Sequence, residues 1–279
     1  MKATFTIIAL VFILSVTAVG SLYFLQPGPA KNGFTRGHIY TVKKLNELEL
    51  NFGGWYITWL GDTRFYMSNY KAVLALFSCD YNLQDTLYGK LKFADGSRLR
   101  LETLKREIIA KLNPGEDSFS SDGFVTLANA TGRMVYTYYY KNRFVYLDSD
   151  LNVLRSGQLI DTNSVAKIEV GEYREGKYWA RTVSAPDEYV NNRGFTDGEY
   201  LYNHAGLAGD DESINAFNLR EVLDVYRLAD GQYCHSLYLP KYKNRKLIDF
   251  AVKDDLLIAL YERHLVTYQL KGKEVKHAK

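Results

Sequence analysis

The sequence predicts an all-β fold, a six-bladed β-propeller, and three observations predict it. Short segments alternate apolar and polar residues at a period of two, and Asp, Asn and Gly separate them, which is the pattern of antiparallel strands. A common unit of turns and strands recurs along the chain. The residues after position 30 divide into six units of about 42 residues, within the range of a four-stranded propeller blade.

The composition is that of a globular protein. Hydrophobic residues make up 47% of the 279 residues and charged residues 24%, close to the averages of folded domains. The formal net charge is +3, short of the strongly basic balance of a nucleic-acid-binding protein. A disordered or fibrous chain is therefore excluded, and we expect no nucleic-acid partner.

The N-terminal segment predicts export. Residues 3–25 carry no charge and follow Lys2, and a helix of that length reaches about 35 Å, enough for a hydrocarbon core of about 30 Å. We favour an uncleaved membrane anchor over residues 1–25. The alternative is a cleaved signal peptide, because residues 18–20 form a small-x-small cleavage pattern.

Either interpretation places the body outside the cytoplasm, on the periplasmic side of the inner membrane or secreted. Positive charges near a membrane segment favour the cytoplasmic side. By that rule alone the cationic residues after the segment would keep the body inside the cell. They are Lys31, Arg36, Lys43 and Lys44.

A repeating unit follows a linker predicted over 26–47, and the propeller is predicted over 48–279. Four stretches share a tight turn, an aromatic-rich strand, a second turn, an apolar strand, a third turn and an outer polar strand. Spacings of 70, 79 and 41 residues separate the third turns, at Asn82, Asn152, Gly231 and Gly272. With 41 residues as one unit, the first two spacings hold two units each. Stacking around a channel covers both faces of each sheet; seven shorter blades or two β-sandwiches are the alternatives.

Two segments depart from the unit. The apolar spacing over 101–112, with a stop at Asn113 and Pro114, predicts one amphipathic helix. Residues 206–221 interrupt the fifth predicted unit between its second and third strands. Additions to a rigid scaffold commonly carry function.

His204 and the acidic loop after it are candidate ligand-binding residues. A neutral imidazole that directly precedes this loop can act as a base or a ligand with a carboxylate of Asp210, Asp211 or Glu212. Three carboxylates can also hold a hard cation, but their spacing is not that of a calcium loop. A hydrogen-bonded His and a solvated loop are the favoured alternatives. The sequence assigns no metal, no cofactor and no catalytic residue.

The two cysteines, Cys79 and Cys234, lie in apolar strand-like segments without C-x-x-C spacing. This placement predicts two buried thiols. A disulfide would require their Cα atoms to lie within about 7 Å, which the sequence leaves open.

Several stretches carry a resemblance to a known family. They are residues 136–144, 160–162, 190–191, 224–228, 231–233 and 239–240. In these stretches the chain resembles the exported six-bladed propellers described as TolB-like, over roughly residues 48–270. The resemblance implies the fold and an envelope location, and it implies no reaction. It adds Asp161 and Asn191 to the candidate ligand-binding residues.

The function favoured by these observations is a membrane-tethered, extracytoplasmic propeller that binds a protein or peptide partner. The sequence has no G-x-S-x-G, H-E-x-x-H, Walker or dinucleotide motif, which weakens the case for an enzyme. The tyrosines at 138–140 either pack between blades or form a stacking surface for a peptide or sugar. The alternative function is a glycan or small-ester hydrolase or lyase at the channel mouth.

Overall fold

The computed structural model describes residues 2–25, 31–72, 74–90, 108, 111–112, 120–128, 131–183 and 189–270. They divide into two compact units, Met1–Lys31 and Asn32–Lys279. The first contains α1 (Lys2–Leu25), which is helical as the sequence predicts. Crossing a bilayer requires both length and sustained apolar character, and no helix in the described ranges meets both requirements. The predicted transmembrane anchor is therefore not borne out.

In the described part of the second unit, nearly all regular elements are strands. Its elements in chain order are β1 (Ile39–Thr41), β2 (Lys43–Glu49), β3 (Trp55–Leu60), β4 (Arg64–Asn69), β5 (Ala75–Asp80), β6 (Thr86–Lys90), β7 (Gly123–Ala128), β8 (Arg133–Tyr138), β9 (Arg143–Leu147), β10 (Val153–Gln158), β11 (Val170–Glu175), β12 (Tyr178–Val183), β13 (Asn191–Thr196), β14 (Tyr200–Ala205), α2 (Ile214–Asn218), β15 (Arg220–Arg227), β16 (Tyr233–Pro240), β17 (Asp249–Lys253), β18 (Leu256–Tyr261) and β19 (His264–Gln269).

Four sheets in the second unit have the strand order of propeller blades. Blade 1 is β3–β4–β5–β6, blade 2 is β7–β8–β9–β10, blade 3 is β13–β14–β15–β16, and blade 4 is β17–β18–β19–β2. The first strands of the blades contact one another: β17 packs beside β3 and β13, and β13 packs beside β7. The all-β propeller fold is thereby confirmed.

Aspartate side chains build the turns between the third and fourth strands of blades 1 and 2. Asp80 Oδ1 accepts two backbone N–H hydrogen bonds in the first of these turns, and Asp148 Oδ1 accepts two in the other. Leu83 and Leu151 take the same left-handed conformation there, with φ of 60° and 61°. These matching turns account for the recurring unit in the sequence. The predicted turn at Gly272 lies outside the described residues.

Buried apolar side chains join successive blades. Leu223 and Phe250 belong to the cluster between blades 3 and 4, Phe65 and Leu265 to the one between blades 1 and 4, and Phe144 and Tyr226 to the one between blades 2 and 3. Each of these clusters covers faces of two sheets at once. Blade stacking therefore supplies the apolar core.

The prediction of six blades is wrong for the described residues, which form four. The sequence spacing assigned two units to each of the two long intervals. In the part of the second interval that lies between blades 2 and 3, the described residues form only the two-stranded sheet β11–β12, which is too few strands for a blade. Most of the chain between blades 1 and 2, including most of the helix predicted over 101–112, lies outside the described residues. Positions 108, 111 and 112 are helical, and Ile108 packs against blade 2.

The N-terminal part of the second unit completes two blades. Within the segment that the sequence assigns to a linker, β1 pairs in parallel with β16 at the outer edge of blade 3. The next strand, β2, pairs antiparallel with β19 and is the outer strand of blade 4. Blade 4 thus contains strands from both ends of the unit, which closes the chain by strand pairing.

Both cysteines are free thiols, with Cys79 buried and Cys234 half-buried. Burial, together with the neighbouring Asp80 carboxylate, raises the pKa of the Cys79 thiol to about 12. Because the thiolate is the reactive form, Cys79 is inert near neutral pH.

Candidate functional site

The candidate residues lie together at one end of the blades. Antiparallel connections place the turns between second and third strands at the same end as the segments that link blades. His204 lies near the end of β14, and Asn191 begins β13. The acidic loop at 206–213 follows β14, and Asp161 follows β10. The fold therefore brings all six candidate residues to the same end of blades 2 and 3.

A buried arginine that the sequence analysis did not select organises this end. Arg36 donates from Nε to Asp224 Oδ1 at 2.9 Å and from Nη2 to Asp224 Oδ2 at 3.1 Å. Its Nη1 pairs with Glu212, and the three side chains are 0–3% exposed. Burial alone would lower the pKa of Arg36, but the two carboxylates outweigh it and hold this pKa above its ordinary value. The guanidinium is thus a permanent cation inside the protein.

Asp210 binds residues 32–34 of its own chain. Its Oδ1 accepts hydrogen bonds from the backbone N–H of Asn32 at 2.7 Å and of Gly33 at 3.1 Å, and its own N–H donates to Phe34 O at 2.7 Å. Gly33 has a φ of 75°, and a Cβ there would come within 2.9 Å of Thr162. The segment therefore follows a path that requires glycine.

The Glu212 carboxylate likewise binds other groups of its own chain. One carboxylate oxygen pairs with Arg36 and accepts the Gly209 N–H at 2.7 Å, and the other accepts the Tyr238 hydroxyl. Asp211 is exposed. In the parts of the chain that the structure describes, no group of three His, Cys, Asp or Glu side chains could hold a metal ion.

His204 does not pair with the acidic loop. Its Nε2 lies 2.8 Å from Glu221 Oε2, and both residues are buried. Successive side chains along a strand point to opposite faces, so His204 points away from the blade 2 side, which Asn203 faces. The predicted pairing with Asp210, Asp211 or Glu212 is therefore not the one that forms. A sequence signal for Glu221 exists, because it is a charged residue at the start of an apolar strand.

A small cavity lies between blades 2 and 3. Its volume is about 10 Å³, close to the smallest that holds one water molecule. Asn191 Nδ2 donates to Tyr138 O at 2.8 Å and to Lys141 O at 3.0 Å, and Asn191 Oδ1 accepts from Asn203 Nδ2 at 2.7 Å. Asn203 Oδ1 is buried without a partner among the described residues. Asn191 thus ties β13 to the β8–β9 turn.

Asp161 also lines this cavity. Its Oδ1 accepts hydrogen bonds from Asn163 N at 2.9 Å and Asn163 Nδ2 at 3.2 Å. Burial raises the pKa of Asp161 above its ordinary value; the hydrogen bonds from Asn163 offset part of this rise, and the Asp224 carboxylate adds to it. Asp161 is therefore a carboxylate that the fold makes harder to ionise.

Four aromatic side chains form what we call the aromatic patch, beside the cavity. They are Phe124, Tyr139, Tyr140 and Tyr189. The ring of Tyr139 lies 5.5 Å from that of Phe124 and 5.3 Å from that of Tyr189, and Tyr140 stacks on Tyr189 at 5.1 Å. Tyr189 is 47% exposed, and the other three are half-buried. Tyr139 O accepts the N–H groups of both Val190 and Asn191, which fixes the patch to β13.

No protein-family model and no curated protein sequence matches the chain. Regucalcin from Agrobacterium tumefaciens, a calcium-binding protein, is 14% identical over 87% of this chain and 97% of that chain, with a TM-score of 0.35. BamB from Moraxella catarrhalis is 10% identical over 80% of this chain, with a TM-score of 0.24.

Sqt1 from Saccharomyces cerevisiae is 10% identical over 78% of this chain, with a TM-score of 0.29. The chain spans 46% of the Sqt1 chain and 58% of the BamB chain, less than two thirds of either. These neighbours are β-propellers. The fold assignment rests on the strand order of the blades.

Replacing Arg36 by Met should destabilise the protein by about 3–5 kcal/mol, because Asp224 and Glu212 would stay buried without their cation. Chemical denaturation of the wild type and the variant measures this. Arg227→Met is the matched control: Arg227 pairs with Asp230 at the surface, where an ion pair contributes about 1 kcal/mol or less. Equal effects of the two substitutions would contradict the role given to Arg36.

The raised pKa of Asp161 predicts a pH dependence of stability. A carboxyl group with a raised pKa in the folded state contributes stability below its unfolded-state pKa of about 3.9 and loses it as pH rises through the folded-state pKa. Asp161→Asn keeps the hydrogen-bond acceptor and removes the titration. The free energy of unfolding of this variant, relative to wild type, should therefore increase between pH 3.5 and pH 7.

Asp148→Asn is the control with the opposite sign. Hydrogen bonds from Asn152 lower the pKa of Asp148, so its contribution is present above the unfolded-state pKa and is lost as pH falls. The stability of Asp148→Asn relative to wild type should decrease over the same range. If the stability of Asp161→Asn relative to wild type stays constant with pH, the raised pKa assigned to Asp161 is contradicted.

Proposed function

We propose that this chain is a binding module whose aromatic patch docks a protein or peptide partner. Tyrosine gives a large and rigid contact area at low entropic cost, and aromatic residues are enriched at the centres of protein interfaces. The observation that carries the proposal is the exposed Tyr189, held by Tyr139 and Tyr140. Rings fixed in this way present an apolar surface with hydroxyl groups before any partner arrives.

The size of the adjacent cavity favours a macromolecular partner. Small-molecule sites occupy about 300–1,000 Å³, whereas the cavity lined by Asp161 and Asn191 has about 10 Å³. A partner that lies across a surface requires no such volume. The alternative of a hydrolase or lyase gains no support from His204, because Glu221 holds its Nε2.

We also propose that the chain is exported, and that the TolB-like propellers are its family. The apolar segment behind Lys2 supports export, and the residue stretches at 136–144, 160–162 and 224–228 support that family. In this proposal the partner lies in the cell envelope, on the periplasmic side of the inner membrane, or outside the cell.

Tyr189→Ala should weaken binding of the partner at least about tenfold, as truncation of an anchoring tyrosine does. Affinity capture with the full chain, followed by quantitative mass spectrometry, compares wild type and variant. The matched control is Tyr70→Ala, since Tyr70 is 64% exposed at a turn of blade 1. A protein captured equally by wild type, Tyr189→Ala and Tyr70→Ala would contradict docking at the patch.

Fusion of alkaline phosphatase after residue 279 should give an active enzyme in a Gram-negative host, because this reporter folds only outside the cytoplasm. Leu14→Arg, which places a charge in the apolar segment, should abolish that activity, whereas Leu45→Arg in β2 tests a charge outside the segment. An inactive phosphatase fusion together with an active cytoplasmic β-galactosidase fusion would overturn export.

A further inference from the structure

Asn32 and Gly33 form the only Asn–Gly pair in the sequence. In such a pair the backbone nitrogen of the glycine can attack the side-chain Cγ of the asparagine, because glycine has no side chain that shields this nitrogen. The new C–N bond closes a cyclic succinimide, and Nδ2 leaves as ammonia with the proton of the glycine N–H. Water then opens the ring at either carbonyl and leaves aspartate or isoaspartate. The pair is therefore labile wherever the chain is free to reach the attacking geometry.

The folded chain holds the reacting groups of this pair in place. Asn32 Nδ2 donates to Ala208 O at 2.9 Å, and Asn32 O accepts the Thr162 hydroxyl at 2.8 Å. The Gly33 N–H donates to Asp210 Oδ1 at 3.1 Å. Attack requires this N–H to lose its proton, and the adjacent carboxylate disfavours a second negative charge beside it. The reaction therefore has to wait until these hydrogen bonds open.

The docking of residues 32–36 on blade 3 itself calls for this labile pair. Position 33 requires glycine, because its φ is 75° and a Cβ would come within 2.9 Å of Thr162. Position 32 supplies the side-chain N–H that the carbonyl group of the buried Ala208 accepts. An ionised aspartate has no N–H to donate and could not make this bond. The contacts that fix the segment thus also place asparagine before glycine.

We propose that Asn32 is a deamidation site, protected while residues 32–36 are docked on blade 3, and that deamidation weakens this docking irreversibly. The product carboxylate loses the hydrogen bond to Ala208 O. It also lies close to the Asp210 carboxylate, which accepts the backbone N–H of residue 32 at 2.7 Å. Isoaspartate adds a carbon atom to the main chain between the two N–H groups that Asp210 binds, so their spacing no longer matches Oδ1.

The rate of the reaction in the wild-type chain tests the protection and needs no variant. The full chain in a mild detergent is incubated at mildly alkaline pH, once folded and once in concentrated urea. Peptide mapping by mass spectrometry measures the exchange of NH2 for OH at residue 32. The folded chain should react at least about tenfold more slowly, because only locally opened molecules reach the attacking geometry. Equal rates in the two samples would overturn the proposal.

Removal of the Asp210 carboxylate tests which contact gives the protection. Asp210→Ala should raise the rate in the folded chain at least about fivefold, because two charge-assisted hydrogen bonds no longer oppose opening. Asp197→Ala is the matched control: Asp197 Oδ1 likewise accepts two backbone N–H groups, those of Glu199 and Tyr200, in the turn between β13 and β14. It should leave the rate at residue 32 within about twofold of wild type. The same increase in both variants would contradict the role of Asp210.

The effect of the product is tested with Asn32→Asp. This variant should lower the melting temperature by about 2–4 °C, the shift expected when one buried hydrogen bond is lost in a chain of this size. Asn244→Asp adds the same charge at an exposed loop position and should shift melting by less than about 1 °C. An Asn32→Asp chain that melts like wild type would overturn the release of the segment. These readouts are independent of docking at the aromatic patch, so the two proposals fail separately.

Discussion

Completion of blade 4 depends on the segment from residue 32 to residue 49. Blade 4 is complete only when β2 pairs with β19, and Arg263 then meets Glu49 across 214 residues of sequence. Ordering so long a loop costs conformational entropy, and the blade-to-blade clusters must offset it. The apolar contacts between blades and the pairing of β2 must therefore form together.

The same segment determines what the candidate site can do. Asp210 and Glu212 bind residues 32–36, and the Arg36 guanidinium neutralises part of the buried carboxylate charge. The carboxylates that the sequence offered as ligand-binding residues therefore bind another segment of the same chain. His204 is engaged in the same way by Glu221. Among the described features at this end of blades 2 and 3, the aromatic patch has fixed and partly exposed side chains, which is why we propose it as the docking surface.

Local features were predictable from the sequence, and pairing over long distances was not. Period-two alternation located most strands, and aspartates such as Asp148 marked the turns, because both effects act within a few residues. Arg36 gave no signal, since its partner Asp224 lies 188 positions away. The outer strand β2 is mostly exposed, so its alternation is weak and the sequence assigned it to a linker.

The predicted number of blades was wrong for a related reason. Turn spacing measures the length of chain between blades, but it does not reveal how many strands that length forms. Between blades 2 and 3 the described residues form the hairpin β11–β12 and no further strand before β13. The structure brings the candidate residues to one end of blades 2 and 3, but their partners depend on β-sheet register and on contacts between distant segments.

Native-state amide hydrogen exchange tests the pairing of β2 in blade 4 most directly. If β2 is an integral strand of blade 4, its hydrogen-bonded amides and those of β19 should exchange with one free energy, equal to that of global unfolding. Amides of β2 that exchange orders of magnitude faster, while blades 1 to 3 stay protected, would show that the blades stay folded without this strand and would contradict the account.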